Sequence, residues 1–310
     1  MEAGNQRIDA AIALLSHYLQ GKDRALRLAL TCFFSRGHLL IEDLPGLGKT
    51  TLAIAIAKVL GLTFGRVQCT SDLLPTDITG LYIFNKNANA FEFRPGPIFN
   101  HIVLVDEINR APPKTQSALL EAMGEKQVTI EGRTCDLPRP FFVIATQNPA
   151  EPFGTFPLPE SQLDRFMMKI NIGYPLRSAE RVILKGGSKR GELYGIEPIM
   201  NGEEILKTQE TIRREIFVSE KVLDYIQNIV EATRNNDYFS VGLSTRGALA
   251  LIDAAKSHAF FAGKDFLVPE NIKEVAEFVI PHRVLVREEY ASVNKREIVK
   301  SLLADIAVPV

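Results

Sequence analysis

The fold of this chain is decided by the stretch Leu39-Leu40-Ile41-Glu42-Asp43-Leu44-Pro45-Gly46-Leu47-Gly48-Lys49-Thr50-Thr51. An apolar run leads into a turn rich in glycine and proline, and apolar residues then recur at helical density from Leu52 to Val59. This order predicts a strand, a loop and a helix. Glycines let backbone N–H groups turn towards a phosphate, and the start of a helix adds its positive dipole end. We therefore predict a phosphate-binding loop over residues 45–51.

Two side chains of this loop are expected to act on a nucleotide directly. The ammonium group of Lys49 would bridge the β- and γ-phosphates, and the hydroxyl of Thr50 would hold Mg²⁺. The full phosphate-loop motif begins with a glycine where this chain has Asp43. The alternative interpretation is therefore a glycine-rich turn that caps an ordinary strand–helix unit.

The composition is that of a globular protein, with 46% hydrophobic and 24% charged residues. A formal net charge of −1 gives no electrostatic footprint for nucleic acid, so we expect none among the partners. The cysteines Cys32, Cys69 and Cys135 lack metal-ligand spacing. Residues 1–5 lack the features of a signal peptide, and no apolar run approaches the roughly 20 residues that cross a bilayer. We expect a cytoplasmic protein without membrane insertion.

A second informative stretch is apolar from Ile102 to Val105 and ends in Asp106 and Glu107. An uninterrupted apolar run is typical of a strand buried on both faces of a parallel sheet, and ligands of such sheets bind at the carboxyl ends of the strands. Asp106 would hold Mg²⁺ through its water shell, and Glu107 would polarise an attacking water. The alternative is a strand followed by a solvated acidic turn. The phosphate loop upstream favours the functional interpretation.

Three polar residues remain ambiguous from local sequence. Asn148 follows an apolar strand at 141–146 and either touches the γ-phosphate or takes a turn conformation before Pro149. Arg165 lies among turn and helix signals and is equally well a surface arginine paired with a nearby carboxylate. Arg246 begins a helix, where the dipole disfavours a cation. This unfavourable placement of a cation indicates either that Arg246 is a functional residue or that it is a surface arginine.

The pattern of secondary-structure signals in the sequence changes after Pro175. Strand and helix signals alternate over residues 1–175, which predicts an α/β core: a parallel sheet flanked by helices, with β-hairpins near 81–93 and 127–137. Helical periodicity dominates residues 176–310, where Ser219 is expected to cap a helix. We therefore predict two domains, an α/β core followed by an all-α domain.

Together these residues resemble the MoxR family of AAA+ ATPases over nearly the whole chain. The most specific string is Val105-Asp106-Glu107-Ile108-Asn109-Arg110-Ala111-Pro112-Pro113-Lys114-Thr115-Gln116, which is similar to the Walker B segment of that family and its following helix. The string Ala145-Thr146-Gln147-Asn148-Pro149 and the segment 158–166 are also similar.

The resemblance implies an AAA+ P-loop NTPase core followed by an α-helical lid domain. It implies that Asn148 is sensor 1, that Arg165 is an arginine finger for the neighbouring subunit, and that Arg246 is sensor 2 on the lid and contacts nucleotide. Whether Arg246 acts on its own subunit or on its neighbour stays open. Both hairpins would face the pore of a ring and engage clients.

The same resemblance implies Mg²⁺-dependent ATP hydrolysis that drives chaperone-like remodelling or maturation of a partner protein complex. The active form would be a homo-oligomeric ring, commonly a hexamer in this superfamily, and proteins with a von Willebrand factor A domain are frequent partners. An arginine finger in trans contributes on the order of a thousandfold to turnover, so a monomer would be nearly inactive.

Three other functions agree less well with the sequence. A nucleotide-gated scaffold with little turnover could dispense with Glu107, which is present. A nucleic-acid motor subunit is disfavoured by the neutral charge. A GTPase is disfavoured because the guanine-reading motif Asn-Lys-x-Asp is missing; Asn85-Lys86-Asn87-Ala88 lacks the acid.

Overall fold

The computed structural model describes residues 2–150, 154–187 and 189–308, and it contains one central sheet with helices on both faces. The helices are α1 (Glu2–Tyr18), α2 (Asp23–Phe34), α3 (Lys49–Val59), α4 (Pro75–Thr79), α5 (Pro113–Glu125), α6 (Glu160–Leu163), α7 (Arg177–Gly186), α8 (Gly202–Glu215), α9 (Glu220–Arg234), α10 (Thr245–Phe261), α11 (Pro269–Val279) and α12 (Lys295–Asp305). The strands are β1 (Leu39–Glu42), β2 (Phe64–Gln68), β3 (Gly80–Asn85), β4 (Ala90–Pro95), β5 (Ile102–Asp106), β6 (Gln127–Ile130), β7 (Arg133–Asp136), β8 (Phe142–Gln147), β9 (Met168–Ile170), β10 (Phe239–Val241) and β11 (Leu285–Val286).

The central sheet is parallel and has the strand order β2-β5-β8-β1-β9. Every residue of β5 is buried, as its apolar sequence predicts for an inner strand. All five carboxyl ends point to one edge of the sheet. This edge carries the loop after β1, the acidic pair after β5 and Asn148 after β8. The predicted parallel sheet is therefore confirmed, and its topology brings the distant sequence motifs to one edge.

Successive residues of β1 face opposite sides of the sheet. Leu39 and Ile41 join an apolar cluster with α2, α3 and the helices that follow residue 200. Leu40 joins a second cluster with α5 and the hairpins. Apolar side chains that precede Pro175 in the sequence thus pack in the same core as apolar side chains that follow it. The division into 1–175 and 176–310 stays a prediction.

The two hairpins form where alternation and turn residues predict them. Strands β3 and β4 pair antiparallel, as do β6 and β7. In the helical part, Ser219 caps α9 by accepting a hydrogen bond from the Val222 backbone N–H. This part also contains a short ribbon of β10 and β11, which are too short to give a periodic signal. Among the described helices, none is long and apolar enough to cross a bilayer.

Candidate active site

Two glycines shape the loop between β1 and α3. Gly46 and Gly48 have φ angles of +82° and +92°, which residues with a Cβ atom rarely adopt. Gly48 is the N-cap of α3, and no side chain caps the helix there. The first backbone N–H groups of α3 are therefore open to an anion beside the positive end of the helix dipole. The loop over residues 45–51 has the shape that phosphate binding needs.

Asp43 replaces the first glycine of the motif and anchors the loop. Its Oδ2 accepts hydrogen bonds from the backbone N–H groups of Ile172 at 2.7 Å and Gly173 at 2.6 Å. Its Oδ1 accepts one from the Leu44 N–H at 3.0 Å. The carboxylate therefore ties the phosphate loop to the segment after β9. The departure from the motif has a structural role that sequence reasoning missed.

Lys49 lies at the first position of α3 and faces the acidic residues. Its Nζ donates to the Asp43 carbonyl oxygen at 2.6 Å. Burial lowers the pKa of Lys49, and the carboxylates of Asp43, Asp106 and Glu107 oppose this shift. The ammonium group of Lys49 therefore lies in the electrostatic field of the acidic pair. Thr50, the next residue, lines the same cavity.

Asp106 ends β5 in a hydrogen-bonded, buried position. Its Oδ2 accepts from Arg66 Nε at 2.8 Å, and its Oδ1 accepts from Thr146 Oγ1 at 3.3 Å. The hydroxyl of Thr50 and the carboxylate of Asp106 are hard oxygen ligands, which suit Mg²⁺. Mg²⁺ also keeps several waters and takes phosphate oxygens, so two protein ligands form a fitting set.

Glu107 has a backbone conformation that is rare for its residue type. Its φ of 58° and ψ of 52° lie in the left-handed region. The Glu107 N–H donates to Thr146 Oγ1 at 2.9 Å, which holds this conformation. Its Oε2 accepts from Arg110 at 3.0 Å and from Gln68 at 3.4 Å. Strain of this kind is concentrated at functional sites, where it directs a side chain.

Asn148 takes the turn conformation and also lies in the cavity beside the phosphate loop. Its Oδ1 accepts a hydrogen bond from the Ala150 N–H at 3.1 Å, which is the turn conformation that its local sequence favours. The side chain is nonetheless buried and lines the cavity beside Lys49 and Glu107. The turn therefore orients the amide next to the phosphate loop. Its contact with a γ-phosphate stays a prediction.

One cavity of about 310 Å³ brings the phosphate loop, the acidic pair and Asn148 together. It is lined by Pro45, Gly46, Gly48, Lys49, Thr50, Thr51, Arg66, Gln68, Asp106, Glu107, Thr146, Asn148 and Arg190. Sequence reasoning missed Arg66, Gln68, Thr146 and Arg190. Arg66 and Gln68 alternate along β2, which pairs with β5, so both side chains face the acidic pair. That alternation was a usable signal.

A second cavity of about 250 Å³ adjoins the first and is more apolar. It shares Gly46, Gly48, Thr51 and Arg190 with the phosphate cavity. Its other walls come from α1, from α7 and from Leu47 of the phosphate loop, which does not line the first cavity. The site therefore has a polar, cationic part beside an apolar part. This arrangement matches a ligand with phosphates at one end and a flat apolar group at the other.

Arg165 and Arg246 lie apart from this edge of the sheet. Arg165 precedes β9 and so lies towards the amino ends of the strands, where its Nη1 donates to the Leu120 carbonyl oxygen at 2.9 Å. A Cβ atom on Gly124 would meet the Arg165 guanidinium at 2.5 Å. Arg246 Nη1 lies 3.6 Å from Asp164 Oδ2. Among the described residues that line the two cavities, neither arginine occurs.

Comparisons with known proteins agree with this architecture. Residues 38–168 match the model of the ATPase family associated with various cellular activities (AAA), and residues 231–302 match the AAA lid domain. The chain is 41% identical to the uncharacterized protein YeaC of Bacillus subtilis, over 97% of this chain and 94% of the relative. It is 38% identical to Chaperone MoxR1 of Mycobacterium tuberculosis, over 97% and 82% respectively. The solved structure of a candidate ATPase from Cytophaga hutchinsonii superposes with a TM-score of 0.92 at 38% identity, covering 99% of this chain and 96% of that one.

Proposed function

The chain belongs to the MoxR family of AAA+ ATPases, and from this premise we propose that it hydrolyses ATP with Mg²⁺ to remodel or mature a partner protein complex. The observation that carries the proposal is the single cavity that holds Lys49, Thr50, Asp106, Glu107 and Asn148. These are the cation, hydroxyl, carboxylates and amide that phosphoryl transfer to water requires. The chaperone name of a relative supports the remodelling role.

In this proposal the nucleotide spans both cavities. The phosphates bind the N–H groups of the loop over 45–51 and the ammonium group of Lys49. The base occupies the apolar cavity between α1 and α7. Thr50 and Asp106 would hold Mg²⁺, which would neutralise developing phosphate charge. Binding of the metal to Asp106 then competes with its ion pair to Arg66.

Glu107 is the proposed general base. Its strained backbone aims the carboxylate into the cavity, and Arg110 and Gln68 hold its Oε2. A carboxylate within hydrogen-bond reach of a water can orient and polarise it for in-line attack. Asn148 is proposed to contact the γ-phosphate or that water with its amide group, while its Oδ1 keeps the turn.

We propose that Arg165 and Arg246 act on the nucleotide of a neighbouring subunit. Both contact residues towards the amino ends of the strands, whereas the phosphate loop follows the carboxyl end of β1. A head-to-tail contact between two copies can bring such separate faces together, and repetition of this contact closes a ring. A hexamer is the ring size proposed from the family. This reading favours action of Arg246 in trans.

The proposed client-binding surface is the hairpin of β3 and β4. Phe84 and Phe91 form an edge-to-face pair with ring centroids 5.3 Å apart, and both are exposed. Leu81 and Ile83 add further exposed apolar area on the same hairpin. Exposed apolar patches of this kind mark protein interaction sites. The client is proposed to be a protein, and one with a von Willebrand factor A domain is the family-based expectation.

The test is ATP turnover by purified protein at high concentration, with wild type and Glu107→Gln side by side. We expect wild type to release phosphate only with Mg²⁺. Glu107→Gln should bind ATP with similar affinity and lose turnover by about a hundredfold or more, because only the base is removed. Full turnover by Glu107→Gln, or wild type that binds no ATP, would contradict the proposal.

A further inference from the structure

Arg283, between α11 and β11, is a buried arginine that the phosphate site does not use. Its side chain is only 2% exposed. Burial lowers its pKa to about 10, so the guanidinium stays charged at neutral pH. A buried charge persists only where nearby groups pair with it and satisfy its donors. The partners of Arg283 therefore show what this residue holds in place.

The guanidinium of Arg283 binds the short segment that contains Arg165. Nε donates to Asp164 Oδ1 at 2.9 Å. Nη2 donates to the Phe166 carbonyl oxygen at 2.7 Å, and Nη1 donates to that of Met167 at 3.0 Å. Nη1 also donates to the carbonyl oxygen of Val279, the last residue of α11, at 2.5 Å. Residues on both sides of Arg165 are thus fixed by one planar side chain.

The same contacts reach Arg246 through Asp164. Asp164 gives its Oδ1 to Arg283, while its Oδ2 lies 3.6 Å from Arg246 Nη1. The Arg246 side chain is 73% exposed, so the guanidinium stays accessible to a neighbouring subunit while the Asp164 carboxylate lies beside it. A Cβ atom on Gly247 would lie 3.0 Å from Arg283 Cδ, so the first turn of α10 rests on the stem of Arg283.

We propose that Arg283 is a positioning residue that holds Arg165 and Arg246 in one preformed face, ready for the nucleotide of a neighbouring subunit. The inference rests on the proposed function, in which both arginines act in trans. Arg283 itself is buried and does not touch the nucleotide. Its five donors, in a planar fork, fix several acceptors at once, which the point charge of a lysine cannot do.

The first test is Arg283→Lys, which keeps the charge. We expect ATP turnover to fall by about tenfold or more, because the carbonyl oxygens of Phe166 and Met167 lose their planar donor. ATP affinity, measured with a fluorescent ATP analogue, should change by less than about twofold, because the phosphate loop is untouched. Arg296→Lys is the matched control: Arg296 also joins the helical part to the core, by donating to the Lys169 carbonyl oxygen at 3.1 Å, but it does not contact residues 164–167. It should keep most of its turnover.

The decisive test mixes two inactive variants. Glu107→Gln lacks the proposed base at its phosphate site but keeps the surface that carries Arg165 and Arg246, which we call the arginine face. Arg283→Lys keeps its phosphate site but has a disturbed arginine face. In an equimolar mixture about a quarter of head-to-tail contacts join the two intact parts, so we expect about a quarter of wild-type turnover to return. A general loss of folding in Arg283→Lys could not be rescued in this way. Absence of rescue, or full turnover by Arg283→Lys alone, would overturn the inference.

A parallel mixture separates this inference from its premise. Arg165→Ala mixed with Glu107→Gln should also recover turnover. If it does and Arg283→Lys does not, Arg283 has no positioning role while the trans mechanism stands. If neither mixture recovers, action in trans fails and the inference falls with it. Should Arg283→Lys fail to bind ATP, Asp164→Asn carries the same test, because it breaks the link from Arg283 to Arg246.

Discussion

The phosphate edge and the arginine face of this molecule are built in different ways. At the phosphate edge, each group lies at or just after the carboxyl end of a strand: the loop after β1, Asp106 and Glu107 at the end of β5, and Asn148 after β8. At the arginine face, Arg165 and Arg246 come from segments 81 positions apart in the sequence, and the buried Arg283 joins them through Asp164. The first region is positioned by sheet topology and the second by long-range side-chain contacts.

This difference has a consequence for function. The phosphate edge holds the groups proposed to bind nucleotide and to activate water, all within one subunit. The cations proposed to stabilise transition-state charge lie on another part of the surface. Under the proposed action in trans, turnover depends on a second copy, and assembly itself controls hydrolysis.

The largest expected effect distinguishes the role of the arginine face from that of the phosphate edge. Arg165→Ala should lower turnover by on the order of a thousandfold while ATP binding remains, because the finger acts on transition-state charge. Lys49→Ala should lose both binding and turnover, because its ammonium group contacts the ground-state phosphates. Equilibrium binding and steady-state turnover of the two variants check this contrast. Loss of ATP affinity in Arg165→Ala would show that Arg165 belongs to its own subunit's site.

The next effect concerns how the phosphate edge is anchored. Asp43→Gly restores the usual motif residue but leaves the N–H groups of Ile172 and Gly173 without their acceptor. We expect the free energy of unfolding to fall by about 1–2 kcal/mol, since each of these half-buried donors loses its hydrogen bond but keeps partial access to water. Urea denaturation measures it, with Asp43→Asn as the control that keeps an acceptor oxygen. A glycine variant as stable as wild type would contradict the anchoring role.

A smaller effect, dependent on pH, is expected near the arginine face. His38 is buried; its Nδ1 accepts from the Val143 N–H, and its Nε2 lies 3.2 Å from the Met123 carbonyl oxygen, in the last turns of α5 beside Arg165. Burial lowers the pKa of His38 to about 4. The unfolded chain takes up this proton near pH 6.5, so stability is full above that pH and falls as the pH drops towards 4.

At pH 5 the loss from His38 amounts to about 2 kcal/mol, at 1.36 kcal/mol for each pH unit below 6.5. Urea denaturation at pH 7.5 and pH 5 measures it. A His38→Gln variant, which can keep one hydrogen bond, should be less stable at pH 7.5 and lose less on acidification. An equal loss in both proteins would assign the pH dependence to other groups.

The smallest expected effect is at the hairpin. Phe91→Ser removes an aromatic side chain that is 66% exposed. The free energy of unfolding should change by less than about 0.5 kcal/mol, and turnover without a client should stay at the wild-type level. If this surface engages clients, client-stimulated turnover should fall while basal turnover holds. A drop in basal turnover would place the hairpin in the ATPase machinery instead.

Local sequence predicted where the elements of the phosphate edge lie, because these elements follow a short motif and a strand pattern. The phosphate loop, the buried strand before Asp106 and both hairpins occur where the pattern indicates. The pair Arg66–Asp106 and the anchoring role of Asp43 depend on contacts across 40 and about 130 positions, which no local pattern encodes. Arg283 carried no signal for the same reason: its partners in the segment around Arg165 lie 116 to 119 positions away.

The most direct test of a site shared between subunits is ATP turnover per subunit as protein concentration is varied, with the assembly state followed by light scattering. The account predicts low turnover where the protein is monomeric, a rise as larger assemblies form, and a plateau once assembly is complete. Arg165→Ala should form the same assemblies, and its turnover per subunit should stay low at every protein concentration. Wild-type turnover per subunit that is the same for monomers and assemblies would contradict the account.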